Sequence, residues 1–361
     1  MKLEDFNYDL PQSRIAQCPC AQRDHARMMV LDRQAEKLEH RHFYDFPDFV
    51  QKGDVLVIND SKVIPARLSG RKETGSRIEL LLLSRYPDSL SMPDAGNTEA
   101  SPDQSGDEET WDVLLKPGKR VQIGTTIQFD DQNLATVIER ISEKKWRVTF
   151  HTTLPFDLFL QQQGKAPLPP YIKREKEDHQ MPRDRDRYQT IYARAPGSIA
   201  APTAGFHFSE ALFKTLQDRE IAIAPVTLHV GFGTFTPIET EEVEDHVMEA
   251  ESFSISPESA DRINSARRVI AVGTTSTRVL ESAADEQGRI RPISAQSRLF
   301  IYPGYRFKRV QALLTNFHLP KSSLFLLASA FAGKDRIQRA YATAIQEEYR
   351  FYSYGDCMLI L

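Results

Sequence analysis

Several short blocks of the sequence mix polar side chains with small residues, as loops that bind ligands and move protons often do. The first is Asn59-Asp60, which follows a short predicted strand that ends near Ile58. The end of a buried strand is a usual place for functional groups in α/β folds. An Asx turn that caps the strand would account for the same pair equally well.

A second block, 200–208, is rich in small residues and contains one histidine. Gly205 and its small neighbours after Thr203 would let a ligand approach the backbone closely. The aromatic residues on both sides of His207 could stack on a base. A lone histidine is more often a packed residue of the core, so this block by itself supports either interpretation.

The block 226–235 ends a predicted strand with His229 and two glycines, Gly231 and Gly233. Its G-x-G pattern lacks the third glycine and the following helix of a dinucleotide-binding fingerprint. We therefore interpret it as a strand that ends in a flexible, ligand-facing loop with His229 at its edge.

The block 269–278 predicts a strand, a glycine, a turn rich in hydroxyl groups and then a helix. Thr274, Thr275 and Ser276 would lie at the N-terminus of that helix. Free N–H groups and the positive end of the helix dipole attract carboxylates and phosphates there. Ordinary capping of the helix is the alternative, and we favour the anion-binding interpretation.

Two blocks near the C-terminus combine polar and aromatic residues. The first, 314–322, contains Asn316 and His318, and the second, 349–356, contains four aromatic residues with an arginine and Asp356. The aromatic side chains of either block could stack on bases, or they could instead pack against the hydrophobic core.

One pair of residues has the spacing of metal ligands. His246 and Glu249 would share a face if their segment were helical, and such a pair could ligate a metal. No further ligand motif accompanies them, and residues 239–251 carry seven acids and no base, which is typical of a solvated loop. Cys18 and Cys20 also lack a second cysteine pair. We therefore expect no metal site.

The segments around these blocks indicate two kinds of structure. Short strand-like runs without helices between them predict a small antiparallel barrel or sandwich. From about Leu154 onward strands and helices alternate, which predicts an α/β domain, with Ser209 and Ser256 as helix caps and Thr274-Thr275 as a loop before a helix. The strand-like runs are 77–84, 111–116, 120–129, 135–141 and 145–151.

The simplest architecture is an α/β domain with a mixed sheet that a small domain interrupts. The α/β domain would be formed by 1–66 and 152–361, and the inserted antiparallel β-barrel domain by 67–151. Within the insertion, the stretch 86–110 is rich in Ser, Pro, Asp, Glu and Gly, which predicts a disordered acidic loop.

The composition indicates a globular protein of a reducing compartment. The chain has 361 residues, of which 40% are hydrophobic and 27% charged. Its three cysteines argue against a disulfide framework, and no apolar run is long enough to span a membrane. The acidic N-terminus does not have the pattern of a signal peptide. We therefore expect a cytoplasmic protein with no membrane partner.

The net charge of −4 conceals an uneven distribution. Residues 86–112 hold eight acids and no lysine or arginine, whereas residues 262–309 hold ten basic residues against three acids. A basic surface that binds successive phosphates of a nucleic acid is compatible with this asymmetry. A surface with scattered charge explains it as well, and charge alone favours that second interpretation.

Together the blocks resemble the S-adenosylmethionine:tRNA ribosyltransferase-isomerase family of queuosine biosynthesis. The resemblance covers nearly the whole chain and keeps the family's order of motifs. The chain departs from the family at Phe206, Phe232 and Thr277, and its acidic insertion is longer than the family needs. The matching stretches are Ile15-Ala16-Gln17 with Arg23-Asp24, Gly53 through Arg67, Tyr188 through Thr190, Ala201 through Gly205, Thr227 through Gly231, Val272 through Ser276, Thr315 through Pro320 and Tyr349 through Asp356.

The resemblance implies a specific reaction. The enzyme would move the ribosyl part of its cosubstrate, S-adenosylmethionine, onto the aminomethyl-deazaguanine at the wobble position of a tRNA and rearrange it to an epoxycyclopentane. Adenine and methionine would leave, and the tRNA would carry epoxyqueuosine. This chemistry requires a base for the proton on the 5′-carbon beside the sulfonium and profits from an acid for departing adenine, but no step requires a metal.

The resemblance also suggests which residues of this chain take part. We assign the general base to His207 or His229, and the acid that faces adenine to Asp60 or His318. Residues 274–276 are assigned to the methionine carboxylate or a tRNA phosphate. The residues assigned to substrate binding are Asn59, Arg67, Thr203, Gly205, Gly231, Gly233, Thr274, Thr275, Ser276, Asn316, Tyr354 and Asp356.

Because the wobble base must leave its stack to react, an aromatic platform is expected, with Tyr354 or Phe206 as its residue.

Three other functions remain as alternatives. An S-adenosylmethionine-dependent RNA methyltransferase would need a glycine-rich turn at the start of a Rossmann unit, which the sequence lacks. A non-catalytic RNA-binding protein would not need so many histidines and aspartates in glycine-rich turns. A metal hydrolase would use His246 and Glu249. We expect a monomer whose partner is tRNA.

Overall fold

A nine-stranded mixed sheet and a closed six-stranded barrel are the two parts of the fold. The computed structural model describes residues 1–35, 37–86, 108–119, 121–174, 181–231, 233 and 237–361. Unit 1 consists of Met1–Lys62 and Pro169–Leu361 and holds the sheet, and unit 2 consists of Val63–Leu168 and holds the barrel. The predicted fold class, an α/β domain with an inserted antiparallel barrel, is confirmed.

The strands and helices follow one another along the chain in three groups. The N-terminal group is β1 (Arg27–Asp32), β2 (Lys37–His42), β3 (Asp54–Asn59) and β4 (Ser61–Val63). The middle group is β5 (Arg67–Lys72), β6 (Arg77–Tyr86), β7 (Glu108–Lys116), β8 (Thr126–Gln128), β9 (Leu134–Arg140), β10 (Lys145–His151) and α1 (Phe156–Gln163). The C-terminal group is α2 (Met181–Arg187), β11 (Ala195–Ser198), α3 (Glu210–Asp218), β12 (Ala222–Leu228), β13 (Glu251–Ile255), α4 (Pro257–Ser265), β14 (Arg268–Val272), α5 (Gly273–Ala283), β15 (Ile293–Ser297), β16 (Ala312–Asn316), α6 (Ser323–Ala332), α7 (Lys334–Gln346) and β17 (Cys357–Ile360).

The large sheet has the strand order β15-β13-β12-β3-β14-β16-β17-β1-β2. Its four central strands, β12, β3, β14 and β16, run parallel to one another. The carboxyl ends of these four strands therefore meet at one edge of the sheet, where α/β folds usually bind their ligands. The residues that follow them along the chain belong to four of the blocks that the sequence singled out.

Strand β3 shows why this sheet is buried on both faces. Every residue of the strand is buried, which is typical of a parallel strand covered by helices on both sides. Successive side chains of a strand point to opposite faces. Val55 and Val57 accordingly pack into one hydrophobic cluster of unit 1, and Leu56 and Ile58 pack into the other.

Two of the predicted helix starts are confirmed by their caps, and one predicted loop is wrong. The hydroxyl group of Ser209 accepts a hydrogen bond from the N–H of Leu212, and that of Ser256 accepts one from Ser259. The predicted loop Thr274-Thr275 is instead the first turn of α5, which starts directly at Gly273. Gly273 has a φ of +89°, so the chain can turn from β14 into the helix without an intervening loop.

The barrel of unit 2 closes in the order β10-β7-β6-β5-β8-β9, with antiparallel neighbours throughout. Closure pairs every strand and leaves no free edge. Strand β5 was not predicted, and the strand predicted over 120–129 shortens to β8 because Gly124 turns the chain there with a φ of +86°.

The acidic stretch within the barrel was predicted to be a disordered loop over residues 86–110. Tyr86 instead ends β6, and residues 108–110 begin β7, which pairs with it. The remainder of that prediction, residues 87–107, lies outside the described residues.

Helix α1 packs with the barrel strands of unit 2. Its Phe156 and Phe159 lie with their ring centroids 5.0 and 6.2 Å from that of Phe150, which is buried in β10. The sequence placed the end of the insertion at residue 151, whereas unit 2 extends to Leu168. This packing, which no local pattern reveals, accounts for the difference.

The structure bears on two further questions, whether His246 and Glu249 form a metal site and whether any helix could span a membrane. Residues 243–245 form a single 3-10 turn and no helix continues through Glu249, so the shared helical face considered for His246 and Glu249 does not form. Across the described ranges, no group of three or more His, Cys, Asp or Glu side chains is placed to hold a metal ion. None of the helices in that part of the chain is long and apolar enough for a membrane span.

Candidate active site

A cavity of about 470 Å³ lies at the carboxyl edge of the central strands, inside unit 1. Its size falls within the roughly 300–1,000 Å³ of typical small-molecule sites. It is lined by the segment 200–204, the first turn of α5, the end of β16 with the loop after it, and the turn at Tyr352-Ser353. Five predicted site residues line it: Thr203, Thr274, Thr275, Asn316 and His318.

His318 is the predicted catalytic residue that this cavity contains. The Nε2 atom of its ring lies 2.7 Å from the hydroxyl oxygen of Thr315, and its backbone N–H donates to the hydroxyl of Tyr341 at 3.0 Å. The hydroxyl of Tyr8 donates to its carbonyl oxygen. Burial lowers the pKa of His318 to about 3, so its ring is neutral near pH 7. A neutral imidazole can accept a proton or a hydrogen bond, but it has no imidazolium proton to give.

The N-terminus of α5 forms another wall of the cavity. Gly273, Thr274 and Thr275 line it, and the helix begins without a side-chain cap. The hydroxyl oxygen of Thr275 is buried and has no hydrogen-bond partner among the described residues. Ser276 is fully buried and does not line the cavity. Uncapped N–H groups and the helix dipole make this wall suitable for an anion such as a carboxylate.

Asn316 connects the large cavity to a neighbouring small one. Its amide Nδ2 donates to the carbonyl oxygen of Tyr352 at 2.8 Å, so its Oδ1 is left to accept a hydrogen bond from Nε2 of His207 at 3.3 Å. Asn316 is buried and lines the large cavity. It therefore fixes the turn at Tyr352 on one side and the ring of His207 on the other.

His207 lines a cleft of only about 20 Å³ together with Phe206 and Tyr354. Burial lowers the pKa of His207 to about 4, and its ring lies against Phe43 with centroids 5.3 Å apart. The hydroxyl of Tyr354 donates to Oδ1 of Asp184 at 3.1 Å. The three residues pack as part of the protein interior here, and neither aromatic residue has an open face in the large cavity.

Asn59 and Asp60 hold strand ends together. Oδ1 of Asn59 accepts from the N–H of Ser61 at 3.1 Å, which is the Asx turn considered from the sequence, and also from the N–H of Leu228 at 3.0 Å. The buried carboxylate of Asp60 pairs with Arg194 at 2.9 Å and accepts from the hydroxyl of Thr227 at 2.6 Å. Neither residue lines the cavity.

His229 and the glycines that follow it lie beside the cavity, which Val230 lines. Burial lowers the pKa of His229, and its Nδ1 is buried without a hydrogen-bond partner among the described residues. The N–H of Gly231 donates to Oε1 of Glu251 at 2.9 Å. A Cβ atom on Gly233 would lie 2.9 Å from a carboxylate oxygen of Glu249. These glycines therefore accommodate acidic side chains of the protein itself.

Three further predicted substrate-binding residues also lie away from the cavity. Arg67 is in unit 2, where its guanidinium donates to the carbonyl oxygen of Leu168 at 3.0 Å. A Cβ on Gly205 would lie 2.0 Å from the hydroxyl of Tyr192. The group that approaches the Gly205 backbone closely is therefore the side chain of Tyr192 and not a ligand. Asp356 accepts from the N–H groups of Arg27 and Arg350 at 3.0 and 2.8 Å and anchors the C-terminal turn.

Two aromatic residues of the cavity wall, Tyr171 and Tyr352, were not predicted from the sequence. From the block 349–356, the predicted site residues were Tyr354 and Asp356. Tyr352 and Tyr354 differ by two positions in a turn, so their side chains point to different cavities. Tyr171 lies in a segment without a motif, and no signal in its neighbourhood indicates a site.

Comparison with known proteins identifies the family. The sequence profile described as queuosine biosynthesis protein matches residues 3–360 of the chain. A relative from Syntrophus aciditrophicus, an S-adenosylmethionine:tRNA ribosyltransferase-isomerase, is 83% identical over the full length of both chains. The chain belongs to the queuosine biosynthesis family. The predicted family is therefore confirmed, and so is the prediction of an enzyme, a ribosyltransferase-isomerase of tRNA modification.

Other members of the queuosine biosynthesis family agree over the whole chain. A protein of the same name from Desulfitobacterium hafniense is 47% identical and is covered completely in both directions. The crystal structure of an S-adenosylmethionine tRNA ribosyltransferase from Thermotoga maritima is 31% identical, with a TM-score of 0.52, and the match covers 99% of this chain and 100% of that one. The matched length thus includes both units.

Proposed function

We propose that this enzyme transfers the ribosyl group of S-adenosylmethionine to the aminomethyl-deazaguanine at the wobble position of a tRNA and isomerises it, releasing adenine and methionine and leaving epoxyqueuosine. The observation that carries the proposal is the cavity at the carboxyl edge of the parallel strands. It combines a helix N-terminus, a neutral buried histidine and an aromatic wall in one space of about 470 Å³. The names of the relatives supply the substrate class.

The cavity suits S-adenosylmethionine because the two ends of that molecule differ in chemistry. Its methionine carboxylate can accept hydrogen bonds from the uncapped first turn of α5. Most of the remaining lining is apolar, including Pro202, Ile238 and Leu319, and suits the ribosyl and adenine parts.

Proton transfer at the 5′-carbon is proposed for a neutral imidazole. His318 is in the cavity and its ring is neutral, so it can accept a hydrogen bond or, at the cost of forming an imidazolium in a desolvated site, a proton. This argues for a changed role, since the sequence assigned His318 or Asp60 to the acid that faces adenine. His229, which is half-buried and precedes the cavity residue Val230, is proposed as the second proton acceptor. His207 is better suited to hold Asn316 in place.

The tRNA is proposed to present its wobble nucleotide unstacked, because an amine inside a stacked anticodon would not reach the buried cavity.

We further propose that the enzyme acts as a monomer and, since its substrate is tRNA, in the cytoplasm. Size-exclusion chromatography with light scattering would reveal an oligomer if one forms.

The decisive experiment incubates the protein with S-adenosylmethionine and a tRNA that carries the aminomethyl-deazaguanine. Free adenine and the corresponding mass gain on the wobble nucleoside are expected, in equal amounts. The same tRNA with an unmodified guanine is the control and should give neither. Release of S-adenosylhomocysteine would instead indicate a methyltransferase, and tight tRNA binding without consumption of the cosubstrate would indicate a binding protein.

His318→Gln tests the proposed proton acceptor in the same assay. Loss of one positioned proton-transfer group typically costs on the order of 100-fold in rate or more. We therefore expect a large fall in adenine release while S-adenosylmethionine still binds. A variant with wild-type turnover would contradict the role of His318.

A further inference from the structure

The turn after Phe351 holds Tyr352 in a backbone conformation that bulky residues rarely adopt. Its φ is +74°, in the left-handed region. The turn is held by hydrogen bonds on both sides: the N–H of Tyr352 donates to the carbonyl oxygen of Phe317 at 3.0 Å, and its own carbonyl oxygen accepts from Asn316 at 2.8 Å and from the N–H of Gly355 at 2.9 Å. Strain that the surroundings maintain in this way is a reason to look for a function.

This conformation makes Tyr352 part of the cavity wall together with Tyr171. The centroids of the two rings lie 4.0 Å apart with an interplanar angle of 47°. Tyr171 is fixed by a hydrogen bond of 2.5 Å between its hydroxyl and that of Ser353. Both tyrosines and Ser353 line the large cavity. The result is an aromatic surface on a support that allows little movement.

The hydroxyl group of Tyr352 is the unusual feature of this surface. It is buried and has no hydrogen-bond partner among the residues that the structure describes. The neighbouring tyrosines differ, because the hydroxyls of Tyr8 and Tyr341 both bond to the backbone of His318. The unpaired hydroxyl, which solvent does not reach, is a second cost of holding the ring in this position, and a function of the ring would explain that cost. Burial also raises the pKa of Tyr352, so its hydroxyl keeps its proton.

We infer that Tyr171 and Tyr352 form the binding surface for the adenine ring of S-adenosylmethionine. This inference rests on the proposed function. The methionine carboxylate is an anion and belongs at the N-terminus of α5, so the aromatic surface is left for the heteroaromatic end of the same molecule. Stacking on an aromatic side chain is favourable for any base.

The test uses the two products separately, because adenine reports on this surface and methionine reports on the helix N-terminus. Binding of adenine and of methionine is measured by calorimetry for wild type, Tyr352→Leu and Tyr352→Phe. In Tyr352→Leu the dissociation constant for adenine should rise about tenfold or more, while that for methionine stays within about twofold. Tyr352→Phe, which keeps the ring and removes only the hydroxyl, should bind adenine within about twofold of wild type.

Tyr44→Phe is the matched control, because Tyr44 is an exposed tyrosine of unit 1 outside the cavity, and it should leave both constants unchanged. Unchanged adenine binding in Tyr352→Leu would overturn the inference. So would an equal weakening of adenine and methionine, because that indicates general damage to unit 1. An increase in the KM for tRNA alone would assign the surface to the wobble base and would also overturn it.

The outcome for this surface can be told apart from the outcome for the proposed function. If wild type releases no adenine from S-adenosylmethionine in the presence of the modified tRNA, the proposed function fails. The calorimetric comparison of adenine with methionine still decides whether Tyr352 binds the ring. If wild type is active and Tyr352→Leu binds adenine normally, only the inference about the surface fails.

Discussion

His207 and His318 are neutral because they are buried, and this determines what each can do. Desolvation disfavours the charged imidazolium and lowers their pKa values to about 4 and about 3. His318 faces the cavity, so a ligand can use its ring. His207 packs against Phe43 and donates to Asn316, so its neutrality serves the fold. Two histidines with the same electrostatics thus differ in function through position alone.

The first prediction concerns the stability of the protein in mild acid. In the unfolded chain both histidines titrate near their ordinary pKa of about 6.5. In the folded protein they stay neutral down to pH values of about 4 and about 3. The unfolded state therefore binds more protons in this window, so stability falls as the pH falls below 6.5. Each histidine should contribute about 1.4 kcal/mol per pH unit to the decrease in the free energy of unfolding.

Urea unfolding at several pH values checks this prediction. Replacing one of the two histidines, as in His318→Gln, should remove about 1.4 kcal/mol per pH unit from the slope between about pH 6 and pH 4. His25→Gln, which removes an exposed side chain, should keep the wild-type slope. If His318→Gln also keeps that slope, His318 is not desolvated as the structure implies.

At the scale of elements, a buried ion pair connects α5 to the strand and loop beside it. Glu251, the first residue of β13, pairs with Arg278 of α5, and both side chains are almost fully buried. Glu251 also accepts the N–H of Gly231 at 2.9 Å, and Arg278 donates to the carbonyl oxygen of Leu299 at 3.1 Å. The helix whose N-terminus lines the cavity is thereby held against the glycine-containing loop.

The second prediction is that Glu251→Gln destabilises the protein strongly. Removing one charge of a buried pair leaves the other uncompensated and should lower the free energy of unfolding by about 3 kcal/mol. The exposed pair between Glu258 and Arg262 provides the comparison. Glu258→Gln should cost no more than about 0.5 kcal/mol, because solvent screens that pair. Equal costs for the two variants, measured by urea unfolding, would contradict the role given to Glu251.

At the scale of the whole molecule, each unit has its own hydrophobic core. In unit 2 the rings of Phe129, Phe150 and Phe156 pack together around the barrel interior, whereas the cores of unit 1 lie on the two faces of the sheet. Both tryptophans of the chain, Trp111 and Trp146, are in unit 2. Intrinsic tryptophan fluorescence therefore reports on the barrel alone, and ligand binding in the cavity reports on unit 1.

The third prediction uses this separation of signals. Phe150→Ala should destabilise the barrel by about 4 kcal/mol, which lowers the urea midpoint of the tryptophan fluorescence transition. Binding of S-adenosylmethionine without denaturant should stay at the wild-type level, since the cavity is lined by unit 1 alone. Phe208→Ala in unit 1 should have the opposite effect. It should weaken the binding of S-adenosylmethionine and leave the urea midpoint of the tryptophan fluorescence transition unchanged. A variant that changes both signals together would show that the two cores unfold as one.

Local patterns in the sequence determined much of the fold. Alternation and turn residues located most strands of the barrel, and serine caps located α3 and α4, because these signals act within a few residues. Several of the missed strands depend on distant partners. Strand β17, for example, lies between β16 and β1, so it joins segments from opposite ends of the chain. No local pattern specifies such a pairing.

The sequence by itself determined the family and four of the blocks that meet at one sheet edge, since parallel strands bring their carboxyl ends together and each of these four blocks follows such a strand. Only the tertiary structure decided which member of each block faces the cavity. His318 and Tyr352 do, whereas His207 and Tyr354 pack into the interior beside it. The physical reason is that side-chain direction at a strand end or in a turn depends on backbone geometry and packing, and burial then determines which imidazole stays neutral and which hydroxyl lacks a partner.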